Sequence, residues 1–366
     1  MTDIMKKALY IGFALSLLAA MGFMPQSDTA SLLKKAEKIH DKIISVDTHT
    51  DTALEMIKAE RKRPVQASPE NLKEGRVDCC FYPIFVGQKE LTDEARQKAY
   101  DYAVEKMKGI RSYIEARPSE MEVAYSVADI ERCKKQGKLS FIMGLENGFP
   151  VGQDLSRLQE FYDLGTRIIT LCHNYHNDIC DSSKDSVTAY HGLSEYGRKV
   201  VAEMNRLGIL VDVSHASTET LIDCIQYSKT PVIASHSCVY ALKDITRNLK
   251  DAELYAIAAN GGVVQVTSGR WALSNLPREQ VNISVFCDHV DYVKNLIGVE
   301  HVGIGTDFDG GGGMAELEDA SKMKYITVEL LRRGWTQEEL RLFWGGNVLR
   351  VMKEVERVSR EMNAAK

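Results

Sequence analysis

The chain has 366 residues, of which 44% are hydrophobic and 27% charged, so it is long enough to bury a large core. Its formal net charge is −5, and the Lys and Arg residues are scattered along the sequence. This composition excludes an extensively disordered chain, and it offers no basic face to nucleic acid or to an anionic membrane surface.

The amino-terminal residues differ in kind from the rest of the chain. Lys6 and Lys7 precede an apolar run from Ala8 to Met24, which stops at Pro25. A basic start followed by a short apolar run predicts a signal peptide over residues 1–24 and a protein exported to the periplasm or the extracellular space. A retained membrane anchor is the alternative, because ~17 apolar residues lie at the short end of the spanning range.

The cysteine pattern leaves disulfide pairing open. The sequence contains eight cysteines and no Cys-x-x-Cys motif. Cys172 and Cys180 form the one pair close enough in sequence for a short disulfide loop. The apolar surroundings of Cys172, Cys224, Cys238 and Cys287 are typical of free thiols that pack as small core residues.

The first predicted strand ends in a pair of metal-competent side chains. An amphipathic helix over residues 31–43 leads into the apolar run Ile43-Ile-Ser-Val, which is followed by His49-Thr-Asp51. Alternation along an extended strand end places the His49 and Asp51 side chains on the same side, where they can share one ion. The alternative interpretation is that Asp51 only caps a helix and that His49 is incidental.

Three further strands are predicted over residues 78–86, 139–145 and 167–172, and a long charged helix over 92–116 follows the first of them. Glu146 follows the strand over 139–145, so its carboxylate is expected at the carboxyl end of that strand. His173 follows the strand over 167–172 and opens a polar loop, residues 175–183, that either binds substrate or covers this end of the fold.

The next stretch predicts a strand, a helix and a parallel strand. Two apolar, β-branched runs over residues 208–213 and 231–235 are bounded by Gly or Pro, and each leads into a Ser-His pair. A helix is predicted between them over 218–229. In such a crossover both strands point the same way, so His215 and His236 emerge at neighbouring carboxyl ends and can converge on a metal. The alternative is that both are polar residues capping strand ends.

Two last strands complete the fold prediction. They cover residues 260–267 and 301–306, and the second is followed by Asp307-Phe-Asp309 and four glycines. Eight strand-like runs alternating with helical spacers predict a (β/α)8 TIM-type barrel of the amidohydrolase kind, forming a single domain over residues 31–358. No Gly-x-Gly-x-x-Gly follows a strand, which disfavours a Rossmann fold.

The candidate site residues share one property, which is that each lies close to the carboxyl end of a predicted strand, where barrel active sites are assembled. They are His49, Asp51, Glu146, His173, His215, His236 and Asp307. The other histidines are expected to be surface or structural groups, except that His176 is left open; they are His40, His191, His289 and His301.

The chemistry of these side chains favours a metal centre. Imidazole and carboxylate ligands without thiolates suit zinc, with manganese or iron as alternatives. Five ligands are available, namely the pair His49 and Asp51, the pair His215 and His236, and Glu146. One catalytic ion with an open position needs fewer ligands, so two ions are expected. Glu146 comes from a strand between the two groups and is the expected bridging ligand, and a water shared by the ions is the expected nucleophile.

Seven motifs follow one another along residues 43–355. They are His49-x-Asp51, Gly144-Leu-Glu146-Asn-Gly148, Leu171-Cys-His173-Asn174, Asp212-Val-Ser-His215, Ser235-His236-Ser237, Thr246-Arg247-Asn248 and Gly305-Thr-Asp307-Phe-Asp309-Gly310. In this order the motifs resemble those of a known family, the membrane dipeptidase (renal dipeptidase) family of zinc peptidases, in a bacterial-type exported form.

The resemblance implies a role for each site residue. It implies that His49 and Asp51 hold one zinc ion, that His215 and His236 hold the other, and that Glu146 bridges them. It further implies that His173 polarises the scissile carbonyl, that Asp307 shuttles the proton and that Arg247 binds the substrate carboxylate. The implied partner is a dipeptide, and a second copy of the chain is a further candidate partner. Asp309 is expected to support the site from behind.

Some residues depart from the family pattern. Asn147 stands where a glycine is expected, Thr50 stands where Asn is common, and the loop over residues 175–183 differs from the mammalian form. These departures keep the metal ligands and leave the preferred substrate side chains open.

The sequence disfavours two other classes of protein. Relatives of the phosphotriesterases and deaminases typically carry His-x-His after the first strand and a bridging Lys after the fourth, where this chain has Asp51 and His173. A β-lactam or other amide remains an alternative substrate for the same centre. A non-catalytic binding protein on the same barrel would be expected to lack a ligand or Asp307, and the sequence keeps all of them.

Overall fold

A computed structural model describes residues 26–58, 64–88 and 90–365 of the chain. The predicted signal segment, residues 1–24, lies outside these ranges. Within them, no helix combines the length and the apolar character that crossing a bilayer requires.

The strands form one parallel sheet of nine strands, eight of which follow one another around a barrel in the order β1-β2-β4-β5-β6-β7-β8-β9. Their bounds are β1 Val46–Asp47, β2 Cys79–Phe85, β3 Met121–Val123, β4 Leu139–Glu146, β5 Thr166–Thr170, β6 Leu210–Asp212, β7 Ile233–Ser237, β8 Val263–Val266 and β9 Val302–Ile304. The predicted (β/α)8 barrel is confirmed.

Hydrogen bonds between the first and last strands close the barrel. The Thr48 amide donates to the Ile304 carbonyl at 3.2 Å, and the Asp307 amide donates to the His49 carbonyl at 2.8 Å. The Asp47 carboxylate accepts from the Thr306 amide at 2.9 Å and from its hydroxyl at 2.6 Å. This closure brings His49 and Asp307, which are far apart in sequence, to one rim.

The helices surround the sheet, as expected for parallel strands that are buried on both faces. Their bounds are α1 Gln26–His40, α2 Thr52–Met56, α3 Pro69–Glu74, α4 Asp93–Glu115, α5 Val127–Gln136, α6 Ser156–Leu164, α7 Glu195–Leu207, α8 Thr218–Tyr227, α9 Asp251–Ala259, α10 Arg270–Leu273, α11 Ile283–Ile297, α12 Lys324–Arg332, α13 Gln337–Arg341 and α14 Asn347–Ala364. Hydroxyl caps fix several starts: Ser217, for example, accepts from the Thr220 amide at the start of α8.

Helix α14 plugs the amino-terminal end of the barrel. Val348, Val351 and Met352 of this helix pack against inward-facing strand residues such as Phe81 and Ile233. These apolar side chains fill the barrel interior next to the helix. The polar side chains of the candidate site lie at the opposite rim of the barrel.

One detail differs from the sequence analysis, and the cysteine pairing that the sequence left open is resolved. Strand β3 was not predicted, because three residues carry too little periodicity to mark a strand. It pairs with residues 139–141 of β4, and β5 pairs with residues 143–146 of the same strand. The eight cysteines are buried free thiols, and Cys172 Sγ donates to the Asp181 carbonyl rather than bonding to Cys180.

Candidate metal centre and active site

The predicted site residues meet in a cavity of about 500 Å³ at the carboxyl ends of the strands. The cavity is lined in part by Asp51, Glu146, His173, His215, His236, Arg247 and Asp307. His49 lies beside Glu146 and is only 1% exposed. The structure therefore brings together all the residues that the sequence assigned to the site.

The strand ends position these side chains in a regular way. Glu146 is the last residue of β4, and His236 lies within β7. His173, His215 and Asp307 are each the third residue after a strand, following β5, β6 and β9. Since parallel strands end at the same rim, these positions converge on one cavity.

Glu146 is the centre of the cluster. Its Oε1 lies 3.4 Å from His215 Nε2, 3.5 Å from His236 Nε2 and 3.6 Å from His173 Nε2. Its Oε2 lies 3.5 Å from His49 Nε2. One buried carboxylate thus faces the Nε2 atoms of four imidazoles, with a different oxygen toward each side of the cluster.

The donor geometry fits metal ions. The Nε2 atoms of His215 and His236 are 3.0 Å apart, close to the roughly 3.0–3.4 Å between two nitrogens that bind one zinc ion at about 2.0–2.1 Å. Ligand atoms of Glu146, His49 and His236 lie within 4.8 Å of one another, and so do those of Glu146, His173 and His215.

Unsatisfied atoms point to the same conclusion. His49 Nε2 and Asp51 Oδ1 are buried and have no hydrogen-bond partner among the described residues. A buried polar atom without a partner is costly, so a cation between these two groups would supply the contact that each lacks.

The electrostatics also favour a cation. Burial lowers the pKa of His215 and His236 well below the ordinary value, so both are neutral at pH 7 and keep a lone pair for a metal. Burial acts against the charged form of His49 as well, but the carboxylates of Glu146, Asp307 and Asp51 raise its pKa to about 9. These three carboxyl groups therefore favour a positive charge next to His49. A metal ion can provide that charge in place of the His49 proton.

Asp51 and Asp307 face each other across Gly310. A Cβ at Gly310 would lie 2.3 Å from Asp307 Oδ1 and 2.5 Å from Asp51 Oδ2, so only glycine leaves room for both carboxylates. Burial raises the pKa of Asp307 to about 7 and that of Asp51 well above its usual range. A carboxyl group with a pKa near 7 can take up and release a proton at neutral pH.

Arg247 is fixed in the cavity wall. It lies in the loop between β7 and α9 and is 6% exposed. Its Nη1 donates to Ser237 Oγ at 2.8 Å and its Nη2 to the His236 carbonyl at 2.7 Å, while Nε has no partner among the described residues. The guanidinium is thus held rigidly and keeps N–H groups for an anion in the cavity.

Several site residues have left-handed backbone conformations, with φ of 67° at His215, 61° at Asp307 and 82° at Asn147. Such values are uncommon outside glycine and concentrate at functional sites. They also explain the departure at Asn147, because asparagine tolerates this region better than most residues. Its side chain donates to the Val86 carbonyl at 3.0 Å and accepts from the Asn177 side chain at 3.0 Å, which joins the end of β2 to the polar loop.

Sequence reasoning missed several residues of the site. Phe85, Lys184 and Trp271 line the cavity, and Asp212 and Ser235 lie directly behind it. Phe85 and Asp212 each lie one residue before the end of a predicted strand, and Ser235 precedes a predicted ligand, so their positions could have identified them. Lys184 lies on a loop and Trp271 in the short helix α10, where the sequence carries no such signal.

The remaining histidines lie outside the cavity lining. His40 and His289 are buried and bonded to protein atoms, namely Thr327 Oγ1 and the Leu273 carbonyl. His301 bonds to the Gly262 carbonyl. His176, which the sequence left open, pairs through Nδ1 with Asp185 at 2.8 Å and so anchors the polar loop.

Comparison with known proteins gives consistent matches. Residues 33–366 match the family model described as membrane dipeptidase (Peptidase family M19). Dipeptidase tcpJ of Claviceps purpurea (strain 20.1) is 34% identical over 295 residues, 79% of this chain and 69% of that protein. Rat Dipeptidase 3 (Rattus norvegicus) is 35% identical, over 80% of this chain and 59% of that protein.

Among solved structures, the probable dipeptidase PvdM from Pseudomonas aeruginosa superposes with a TM-score of 0.80 and is 27% identical. The match covers 90% of this chain and 99% of that one.

Proposed function

Because this chain belongs to the membrane dipeptidase family (Peptidase family M19), we propose that it is a dinuclear zinc dipeptidase that cleaves dipeptides with a free carboxyl-terminal carboxylate. The observation that carries this proposal is the single carboxylate of Glu146, which faces four imidazole nitrogens at 3.4–3.6 Å. A carboxylate that uses both oxygens in this way is suited to bridging two ions.

We assign the ligands by burial and contact. His49 and Asp51, with their unpartnered atoms, would hold one ion, and His215 and His236, with Nε2 atoms 3.0 Å apart, would hold the other. Nitrogen and oxygen donors without thiolate favour zinc. When bound, the metal pair supplies a water that is ionised near neutral pH and an electrophile for the scissile carbonyl.

His173 is assigned to the substrate rather than to a metal. Its side chain is 23% exposed, against 1% for His49 and 2% for His236, and it lines the cavity next to Phe85. Burial lowers its pKa, so the ring is neutral and can donate one hydrogen bond to the carbonyl oxygen of the substrate.

Asp307 is assigned to proton transfer. Peptide hydrolysis needs a group that accepts a proton from the attacking water and a group that protonates the leaving amine. The Asp307 carboxyl, buried at the rim with a pKa of about 7, can hold that proton between the two steps.

Arg247 gives the site its selection for length. A guanidinium binds a carboxylate through two parallel hydrogen bonds, and this one is held in place by Ser237 and the His236 carbonyl. A carboxylate bound there lies close to the scissile bond, which leaves room for one residue on that side.

The proposal is tested with a dipeptide and its carboxyl-terminal amide. Zinc-loaded native protein should contain about two zinc ions per chain, lose activity to a chelator and regain it with Zn²⁺. Its kcat/KM should be roughly 10–100-fold lower for the amide than for the dipeptide, the scale of a lost charge-assisted hydrogen bond. In Arg247→Lys the difference between the two kcat/KM values should be smaller. Equal cleavage of both substrates by the native protein would exclude Arg247 as the carboxylate anchor, and a fully active protein with one ion would exclude the dinuclear centre.

A further inference from the structure

Ser235 connects the two sides of the cluster from behind. It precedes His236 in β7 and is fully buried. Its Oγ lies 2.6 Å from Asp212 Oδ2, 2.9 Å from His236 Nδ1 and 3.4 Å from His49 Nδ1. The two imidazoles come from the ends of two strands that are not neighbours in the barrel, β1 and β7, and their ring centroids are 3.7 Å apart.

The hydrogen bonds of Asp212 determine where the Ser235 proton lies. The Asp212 carboxylate accepts from the backbone amides of Ser214 and Ser235 at Oδ1, and from the hydroxyls of Thr170 and Ser235 at Oδ2. A carboxylate only accepts, so Ser235 donates its single hydroxyl proton to Asp212. Its oxygen then has two lone pairs left, which is one for each neighbouring Nδ1.

The consequence concerns the tautomers of two imidazoles. An Nδ1 that meets a lone pair has to carry the ring proton, and a neutral ring protonated at Nδ1 keeps its free lone pair on Nε2. The Nε2 atoms of His49 and His236 both face Glu146 at 3.5 Å, where the metal ions are assigned. Outer hydrogen bonds of this kind orient metal ligands and raise their basicity.

We propose that Ser235 is a positioning residue that holds one histidine ligand of each metal ion, His49 and His236, in the metal-binding tautomer through a single hydroxyl anchored on Asp212. This inference rests on the proposed dinuclear site. It assigns no contact with substrate to Ser235, and it predicts that one small side chain controls the affinity of both ions.

Thr170 provides a matched control, because it donates to the same oxygen of Asp212 at 2.5 Å. It is buried like Ser235, and its hydroxyl makes no hydrogen bond to an imidazole among the described residues. Thr170→Val therefore removes a hydroxyl from the same carboxylate and keeps the side-chain shape. A role limited to linking neighbouring strands would make Thr170→Val and Ser235→Ala equivalent.

The test measures metal affinity rather than turnover. Native protein, Ser235→Ala and Thr170→Val are depleted of metal, and zinc binding is measured by competition with a chromophoric chelator, together with the visible spectrum after Co²⁺ loading. Ser235→Ala should weaken both zinc equivalents by roughly 10–100-fold, the usual effect of an outer-sphere partner, and shift the Co²⁺ bands. Thr170→Val should change the zinc affinity by no more than about threefold, which is less than the loss expected for an outer-sphere partner.

Three results would overturn the inference: equal losses in both variants, native affinity in Ser235→Ala, or weakening of one equivalent alone. If Ser235→Ala does not fold, the ¹⁵N chemical shifts of His49 and His236 in zinc-loaded native protein decide, because protonation at Nε2 in that state contradicts the proposed tautomers. Native protein that binds no zinc would refute the proposed function, whereas two tightly bound ions in both native protein and Ser235→Ala would refute only the role of Ser235.

Discussion

The two ends of the barrel differ in how their cavities are built. The cavity at the amino-terminal end has about 1010 Å³, twice the 500 Å³ of the cavity at the carboxyl ends of the strands. Its described lining contains no histidine and no aspartate, and some of its charges are paired with each other, as in Lys353–Glu131 and Arg357–Glu354. The lining of the smaller cavity includes buried polar atoms without hydrogen-bond partners in the described part of the chain, namely Asp51 Oδ1 and Arg247 Nε. Convergence of unsatisfied groups, and not volume, therefore marks the functional end.

Two buried histidines show the same difference at the level of single side chains. His40, near the amino-terminal end, bonds through Nε2 to Thr327 Oγ1 at 2.8 Å and packs against Trp344 at 4.8 Å between ring centroids. His49 is buried to the same degree, but its Nε2 has no hydrogen-bond partner among the described residues. Burial alone does not distinguish the two rings; at His49 the distinguishing feature is a buried imidazole nitrogen without a hydrogen-bond partner in the ranges described, beside buried carboxylates.

Replacing one glutamate by glutamine at each end of the barrel should give the largest difference in zinc content and activity. Glu146→Gln keeps the shape of the side chain and removes the charge that faces four imidazoles. We expect both zinc ions to be lost and kcat/KM to fall by at least about 10³-fold, beyond the roughly 10–100-fold typical of outer-sphere partners. Glu131→Gln, at the amino-terminal cavity, should retain native zinc content and activity, because an exposed ion pair contributes little. Native zinc content in Glu146→Gln would refute the bridging role.

A smaller effect is expected at Asp307, where Asn preserves the shape but cannot exchange a proton. Turnover should fall by roughly 10²–10⁴-fold, the usual contribution of a positioned acid or base, with zinc content unchanged. Steady-state kinetics and metal analysis of the same preparation separate the two roles. Loss of zinc together with activity would show that Asp307 is a metal ligand.

The sequence predicted those parts of the site that depend on local pattern. Eight strands and the ligands at their ends follow from short apolar runs and from the residues next to them. The hydrogen bonds that hold the predicted ligands from behind could not be predicted, because they depend on closure of the barrel. Ser235 Oγ contacts His49 Nδ1, for example, although the two residues are 186 positions apart in the sequence. Trp271 reaches the cavity from the short helix α10, whose position is set by tertiary packing, and no periodicity in the sequence predicts that position.

The last prediction concerns the histidine at the amino-terminal end. Burial lowers the pKa of His40 from 6.5 to about 3. The folded protein therefore binds fewer protons at this ring than the unfolded chain. The stability that the neutral ring confers is fully present above about pH 6.5 and is lost as the pH falls from 6.5 toward 3. Between pH 7.5 and 5.5 this loss is about 1 kcal/mol.

His40→Gln should remove that share of the pH dependence. A Gln amide can still bond to Thr327 but has no proton to gain, so the free energy of unfolding should fall by about 1 kcal/mol less than in native protein between pH 7.5 and 5.5. Urea unfolding of zinc-saturated samples at both pH values measures the difference. At pH 7.5 the variant should be less stable, because it loses the ring contact with Trp344. Parallel pH dependences would mean that His40 is protonated in the folded protein, and the contrast between a satisfied and an unsatisfied buried imidazole would then fail.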